Sequence, residues 1–331
     1  MRLNFAILLL LWCTAYSRLA AQQAPQYSLY LLNPYAANPA YAGLDNTLVA
    51  TGVYRQQWSS LEGAPVTQHV NAHLPIYRIS SGVGLKVEND VIGAHRSTQA
   101  LLSYSYQIPF GREAVLSIGV SGGYLQYALD GNKLRAPQGT YAEPGSGGGV
   151  FTHNDPNLPE GKIQTGALVG EAGVFFQTRQ IELGAAVQPV FAPVLKSSSK
   201  SDFSLTPVRQ YLVYGSYLFS IGDHLTVKPA FLLKSDQIET QAEASGMLRW
   251  RENIFAGASF RGFSASARDA AVIFFGFKLN EKTTLGYAFD IPLSPLQSVN
   301  RGSHELLLRH SLNKPVGTGK LPPVIYNPRF F

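Results

Sequence analysis

The chain of 331 residues is 45% hydrophobic but only 15% charged, and it contains 31 glycines, 17 tyrosines and 18 phenylalanines. Proteins on average have about 25% charged residues, so this composition favours a protein with one face in lipid over a soluble domain. The formal net charge of +6 indicates a basic lumen or attraction to an anionic membrane surface, because an exported chain does not meet nucleic acid. The single cysteine, Cys13, falls in the leader, which excludes disulfides, cysteine zinc sites and cysteine nucleophiles from the mature chain.

Residues 1–21 have the pattern of a secretory signal, with Arg2 before an apolar centre and small residues at 20 and 21. Trp12 precedes Cys13 where a lipoprotein signal needs a small residue, so we do not expect lipidation. The densest later apolar run covers only residues 271–277, and a spanning helix needs about 18 apolar residues or more. We therefore expect an exported chain without a helical anchor.

Residues 22–46 are apolar but interrupted by proline. Asn-Pro pairs occur at 33–34 and 38–39, and each disfavours helix at the asparagine and starts a turn. This pattern is unlike a lipid-facing strand. We predict a compact periplasmic segment that caps the barrel mouth or plugs it, and a disordered leader is the alternative.

The chain from 47 to 312 alternates apolar and polar residues over runs of about a dozen residues, which is longer than the five or six typical of soluble strands. In one run Leu102, Tyr104 and Tyr106 alternate with Ser103, Ser105 and Gln107. This period of two predicts strands with one face in lipid and the other in a lumen. Because only helices and closed barrels satisfy their backbone in lipid, the strands must close.

The predicted fold is therefore an all-β transmembrane barrel of the outer membrane, antiparallel and up-and-down, with about 14 strands. A soluble sandwich or propeller is the alternative class, and 12 or 16 strands are compatible with the pattern. The predicted strands cover residues 47–58, 65–76, 82–90, 96–110, 114–128, 163–177 and 180–191, then six strands within 208–292, and 301–312. Residues 313–331 form a polar tail with prolines that prevent it from closing the barrel.

Connections after even-numbered strands are short, and those after odd-numbered strands include the long segments 129–161 and 192–207. Outer-membrane barrels have short periplasmic turns and longer external loops. We therefore expect both termini in the periplasm.

No chemical motif in the sequence is specific. His69 and His73 lie about 13 Å apart on a strand, too far to share an ion with bonds of about 2 Å. The glycine-rich run 145–154 lacks the Gly-Lys-Ser/Thr ending of a phosphate loop. The spacing of His153, Asp155, Asn157 and Glu160 does not follow a calcium loop, and no Gly-x-Ser-x-Gly elbow occurs. We predict no enzyme activity, no cofactor and no metal.

Several charged residues fall on predicted lumen-facing positions. The expected role is a solvated lumen wall of paired charges; a selectivity ring is the alternative, although the sequence indicates no clustering at one depth. These residues are Glu171, Glu243, Arg249, Arg261, Lys278, Glu305 and Arg309.

The chain also resembles a known family. The stretch NPAYAG, then YRQQW, GAPVTQHV and GVGLKVENDVIG, and finally SHELLLRHSL and NPRFF, is similar in order and spacing to the PorP/SprF family of type IX secretion system membrane proteins from Bacteroidota. The resemblance covers essentially the whole mature chain. The residues that it singles out for structural or periplasmic contacts are Asn33, Pro34, Asn38, Pro39, Ala40, Tyr41, Gly43, Tyr54, Arg55, Trp58, Gly63 and Pro65, with His304, Glu305, Pro328, Arg329 and Phe331 in the last strand and tail.

The resemblance implies a non-enzymatic role in type IX secretion and gliding motility, in which cargo such as adhesins is held at the cell surface through its C-terminal domain. Expected partners are outer-membrane lipid, such cargo, and periplasmic secretion or motor subunits, with no nucleic acid. The long loops would contact cargo, for example through Tyr141, Phe151, Asp155 and Pro156. The alternatives are a diffusion porin or solute transporter, and a purely structural membrane protein.

Overall fold

The computed structural model describes residues 25–111, 113–141, 152–155, 158–191, 193–196, 204–236, 238–262 and 269–314. The predicted signal at 1–21 lies outside these ranges, as do Phe151, Pro156, Pro328, Arg329 and Phe331.

The strands form one antiparallel meander, in which each strand pairs with its neighbours in the chain. They are β1 (Val49–Gln56), β2 (Val66–Ile76), β3 (Ser81–Ile92), β4 (His95–Phe110), β5 (Ala114–Asp130), β6 (Lys162–Thr178), β7 (Ile181–Phe191), β8 (Gln210–Tyr217), β9 (Leu225–Ser235), β10 (Thr240–Trp250), β11 (Ile254–Arg261), β12 (Ala270–Lys278), β13 (Thr283–Pro292) and β14 (Ser303–Ser311).

Two features close the sheet. Strand β8 is interrupted at Leu218 and continues as Phe219–Ile221, and both pieces pair with β9. Strand β1 pairs with β14 as well as with β2, so the 14 strands form a closed barrel. The predicted fold class and strand number are confirmed, and most strand ends lie within two residues of their predicted positions. A separate two-residue ladder joins Leu195–Lys196 to Ser204–Leu205.

The two faces of the wall differ as the alternation predicts. In β4 the outward Leu102 is 69% exposed, whereas the inward Ser105 is completely buried. Large exposed apolar side chains cover the outside of nearly every strand, a surface that water would not tolerate on this scale. Exposed aromatic residues lie near both ends of the wall, including Tyr54 and Phe260 at one end and Phe110 and Trp250 at the other. This apolar band with two aromatic girdles is the surface of an outer-membrane barrel.

Among the described residues, none of the helices has the length and hydropathy that a membrane-spanning helix requires.

The barrel has two distinct ends. One end, which we call the short-turn end, carries the tight connections between β2 and β3, β4 and β5, and the later even–odd pairs. The opposite, long-loop end carries the segments between β5 and β6 and between β7 and β8. Strand β1 starts and β14 finishes at the short-turn end.

The core of the protein lies inside the barrel and is built around residues 25–46, which we call the plug segment. Its apolar side chains are buried against inward-facing residues of the wall. Three short turns fold it, namely Tyr30–Leu32, Pro34–Ala37 and Pro39–Tyr41. The last two begin directly after Asn33 and Asn38, where the Asn-Pro pairs predict turns. The segment lies inside the barrel, where its apolar side chains are buried.

The path of the plug segment is not confined to the short-turn end, at which a periplasmic cap or plug segment is expected. Residues 26 and 28 contact Gln241 and Glu305 near the long-loop end, whereas Asp45 contacts Arg309 near the short-turn end. The chain therefore crosses the lumen before it enters β1. The physical reason is burial: the three leucines and the one tyrosine at positions 29–32 find apolar partners inside the barrel, where they are buried.

Candidate functional site

The end of the plug segment that lies near the long-loop end, which we call its outer end, is fixed by Ser28 and a group of buried charges. We call this group the Ser28 cluster: Ser28, Arg55, Arg261, Asp290, Glu305 and Glu243. Arg55 lies between Asp290 at 2.7 Å and Glu305 at 3.0 Å. Arg261 reaches Glu243 at 2.8 Å and Asp290 at 3.0 Å. All five charged residues are buried. Clustering at one depth, which the sequence did not indicate, is therefore present.

The Ser28 cluster holds backbone as well as side chain of the plug segment. The carboxylate of Glu305 accepts the backbone N–H groups of Ser28 at 2.7 Å and Leu29 at 3.0 Å. The Ser28 hydroxyl donates to Asp290 at 2.6 Å and accepts from Arg55 at 2.9 Å. Buried charges of this kind remain stable only when each is paired and hydrogen-bonded. The cluster therefore locks the plug segment against β1, β13 and β14, and does not form an open ring around a pore.

The inner end of the plug segment, near the short-turn end of the barrel, is held by a second charged group around Asp45. Its carboxylate lies 2.9 Å from Arg309 and 3.3 Å from His73, and it accepts the Tyr41 hydroxyl at 3.1 Å. Burial alone would raise the pKa of Asp45, but Arg309 and His73 outweigh it and hold the pKa well below the ordinary value. Asp45 is therefore ionised at neutral pH and fixes the last turn of the plug segment.

The middle of the plug segment contacts the wall closely. Asn38 donates to the carbonyls of Val174 and Ala185 at 2.9 and 3.1 Å, while its side-chain oxygen accepts the N–H of Ala40 at 2.9 Å. Asn33 accepts from Asn71 at 3.0 Å. The two asparagines of the Asn-Pro pairs thus both start a turn and bind the wall.

Glycines in the wall leave room for this contact. A Cβ at Gly82 would overlap the carbonyl of Ala42, and one at Gly119 would overlap the backbone of Ala40. Gly43 has φ of +77°, a conformation that other residues adopt only with strain, beside Gly82. The backbone of the plug segment therefore lies directly against the backbone of the wall, and residues larger than glycine at these positions would prevent this contact.

The remaining residues singled out by the family resemblance lie at the long-loop rim. Trp58 donates its N–H to Ser303 at 3.1 Å, and the carbonyl of Gly63 accepts the N–H of Gly93 at 2.9 Å. The carbonyl of Pro65 accepts the N–H of Gln57 at 2.9 Å. Tyr54 faces outwards. These contacts shape the β1–β2 loop and join it to the neighbouring connections.

In the last strand, His304 and Glu305 face opposite sides. His304 lies on the lipid side, 2.7 Å from the Tyr287 hydroxyl, whereas Glu305 enters the Ser28 cluster. In the β5–β6 loop, Tyr141 lies 2.8 Å from His153 and the carbonyl of Asp155 accepts the N–H of Leu158. The structure thus brings Arg55 and Glu305 together but leaves the loop residues apart from them.

The histidines at 69 and 73 both face the lumen but have different partners. His69 lies 3.1 Å from Glu88, and His73 accepts the N–H of Gly43 at 3.1 Å. Within the described ranges, no group of three or more His, Cys, Asp or Glu residues is arranged to hold a metal ion.

Sequence reasoning missed several residues that hold the lumen together. Lys86 pairs with Glu171, and Lys228 lies 2.8 Å from Glu182. Ser28, Asp45 and Asp290 were also not singled out. The available signal was the period of two, because each charge on a strand occupies an inward position of an alternating run. Alternation does not identify the ion-pair partner of each charge, because that partner lies on a distant strand or in the plug segment.

The closed wall, apolar exterior and occupied lumen define an outer-membrane β-barrel with a plug formed by its own chain. The family model described as type IX secretion system membrane protein PorP/SprF matches residues 19–310. The chain belongs to this family, and it is a membrane component of type IX secretion.

Solved structures with similar folds are outer-membrane proteins. Omp33 of Acinetobacter baumannii is 9% identical, with 80% of this chain and 98% of that chain covered and a TM-score of 0.42. The P. putida toluene transporter TodX is 10% identical, with 83% and 92% covered and a TM-score of 0.44. The CymD monoaromatic hydrocarbon channel is 11% identical, with 85% and 91% covered and a TM-score of 0.43. No curated protein sequence matches the chain.

Proposed function

We propose that this protein is a non-enzymatic anchor, which holds or helps to export cargo that bears a C-terminal secretion domain, such as adhesins of gliding cells. The observation that carries the proposal is the occupied lumen. A diffusion porin needs an open lumen, whereas here the plug segment is buried in it and held by the Ser28 cluster. A blocked barrel is suited to act as a scaffold for binding partners.

The two ends of the barrel offer separate binding surfaces. Loops on a rigid scaffold commonly carry recognition, and the connections after β5 and β7 are the longest at one end. We assign cargo contact to these loops and contact with periplasmic secretion or motor subunits to residues 313–331, which follow β14 at the other end. Strand β14 finishes at the short-turn end, which faces the periplasm in outer-membrane barrels.

Deletion of residues 313–331 tests the docking role. We expect the barrel to assemble and migrate as a folded species on unheated gels, while surface display of cargo is lost. Display at the wild-type level would exclude docking through the tail. Failure of the barrel to assemble would identify the tail as an insertion signal, so a Phe331→Ala variant serves as the matched control, because it removes the terminal aromatic and leaves the rest of the tail.

Conductance of the purified protein in planar bilayers tests the porin alternative. We expect no steady conductance in the absence of partners, because the plug segment occupies the lumen. A stable open level of ohmic conductance would favour the diffusion porin.

A further inference from the structure

A cavity of about 400 Å³ lies beside the plug segment at the long-loop end of the lumen. We call it the vestibule. Strands β3 to β8 line it, with Pro25 of the plug segment on one side. On its inner side Lys86 donates to the carbonyl of Ala36 at 3.5 Å, and Gln188 donates to that of Ala37 at 2.6 Å. Its volume lies in the range of pockets that hold small ligands, about 300–1,000 Å³.

One wall of the vestibule is acidic. Glu88 and Asp90 occupy successive inward positions of β3, and Glu171 lies across from them on β6. Glu171 is neutralised by Lys86, and Glu88 lies 3.1 Å from His69. Asp90 is only 9% exposed and accepts the Thr67 hydroxyl at 2.5 Å, but within the described part of the chain no ion pair includes it. A buried carboxylate without a cation is costly, so an incoming cation is favoured here.

A second wall, which adjoins the acidic one, is apolar. Leu101, Leu125 and Val169 form a buried cluster of their own, against which Tyr127 packs, and this cluster is separate from the core around the plug segment. A ligand that satisfies both walls carries a positive charge at the end of an apolar arm. Because the apolar cluster lies beside the carboxylates, the cation that fits both is carried on an alkyl arm and is organic. Ammonium and guanidinium groups on alkyl chains have this chemistry.

We propose that the vestibule binds the lysine or arginine side chain of an extended peptide segment of exported cargo. The identity of the partner rests on the proposed anchoring function, whereas the cation preference rests on the vestibule alone. The alkyl part of such a side chain lies against the Leu101 cluster, and its charged end reaches Asp90.

Calorimetric titration of the purified full-length barrel in detergent tests the proposal. The probes are a blocked pentapeptide with one central arginine, the same peptide with norleucine in its place, and free putrescine. We expect the arginine peptide to bind at least tenfold more tightly than the norleucine peptide, with an affinity that falls as salt rises. Equal affinities would overturn the proposal, and putrescine binding as tight as that of the arginine peptide would overturn the assignment to a peptide.

Two variants locate the site. Asp90→Asn should weaken binding of the arginine peptide by about tenfold or more, the usual effect of losing a charged hydrogen-bond partner. Gln210→Arg, at the vestibule wall, should also weaken it, because it places a tethered guanidinium beside the carboxylates. Glu62→Gln, an exposed acid in the β1–β2 loop outside the vestibule, is the matched control and should bind as the wild type does. Unchanged binding by both vestibule variants, each verified as folded by gel mobility, would refute the site.

The titration does not depend on secretion, so its failure is distinguishable from failure of the anchoring role. The vestibule can discriminate between the peptides while deletion of 313–331 leaves cargo display intact. That outcome would refute docking through the tail and would support cation binding by the vestibule.

Discussion

Replacement of Arg55 by methionine should release the outer end of the plug segment. Arg55 pairs with Asp290 and Glu305 and donates to Ser28 at 2.9 Å. Methionine retains much of the length of the arginine side chain but carries no charge. The carboxylates of Asp290 and Glu305 therefore lose a positively charged partner. Removing one partner of a buried ion pair costs about 3–5 kcal/mol. At about 1.36 kcal/mol per tenfold, the open population of the outer plug segment should rise by a factor of roughly 150 to 5,000.

Thiol labelling can measure this opening, because the only cysteine, Cys13, lies in the predicted signal. Leu31 is buried within the plug segment, so a Leu31→Cys substitution provides a single thiol that a maleimide reaches only in the open state. We expect the labelling rate of the Leu31→Cys barrel to rise by two or more orders of magnitude when Arg55→Met is added. The cost of Leu31→Cys itself is present in both proteins and cancels from the ratio.

The control is Arg179→Met in the same background. Arg179 lies 3.2 Å from Glu113, but their side chains are 68% and 60% exposed, so the pair contributes at most about 1 kcal/mol and does not touch the plug segment. Its labelling rate should stay within a few-fold of the parent. Adding Asp290→Asn to Arg55→Met restores the charge balance of the Ser28 cluster and should recover part of the protection. A rate for Arg55→Met within tenfold of the parent would refute the view that the cluster locks the plug segment.

Two further substitutions test the packing of the plug segment and the orientation of the wall. Gly119→Ala places a methyl group against the backbone of Ala40 and should lower the temperature of the heat-induced gel shift, by an overpacking cost of about 1–3 kcal/mol, whereas Gly122→Ala on the same strand meets nothing within 4 Å. Identical temperatures for the two would contradict close contact between wall and plug segment. Leu102→Arg, outward at the middle of β4, should cost about 2–4 kcal/mol and reduce insertion into vesicles, while Glu281→Arg in an exposed turn should not; equal insertion would mean that Leu102 does not face lipid.

The barrel could be predicted because the alternation of apolar and polar side chains is a local property of the sequence. Lipid on one side and a polar lumen on the other require side chains to alternate. The sides of the wall that Leu102 and Ser103 face can therefore be predicted without knowing which residues contact them. Strand length and the spacing of turns then predicted about 14 strands. Strand β8 shows the limit of this reasoning, because its interruption at Leu218 falls inside an apolar run that alternation alone reads as continuous.

The contents of the lumen were harder to predict. The Asn-Pro pairs indicate turns, and both turns form, but no local feature says that the chain between them crosses the barrel. Arg55 and Glu305 are 250 residues apart in the chain and meet only because β1 closes on β14. Ser28 completes their contacts from a third part of the chain.

The sequence by itself determined which side chains face lipid, that there are about 14 strands and where the plug segment bends, since these follow from neighbours within a few positions. Only the tertiary structure decided which charges pair, that the plug segment runs from the long-loop end to the short-turn end, and that an acidic vestibule remains beside it. The reason is that closing the barrel brings distant inward positions to one depth, where buried charges must find partners whatever their separation along the chain.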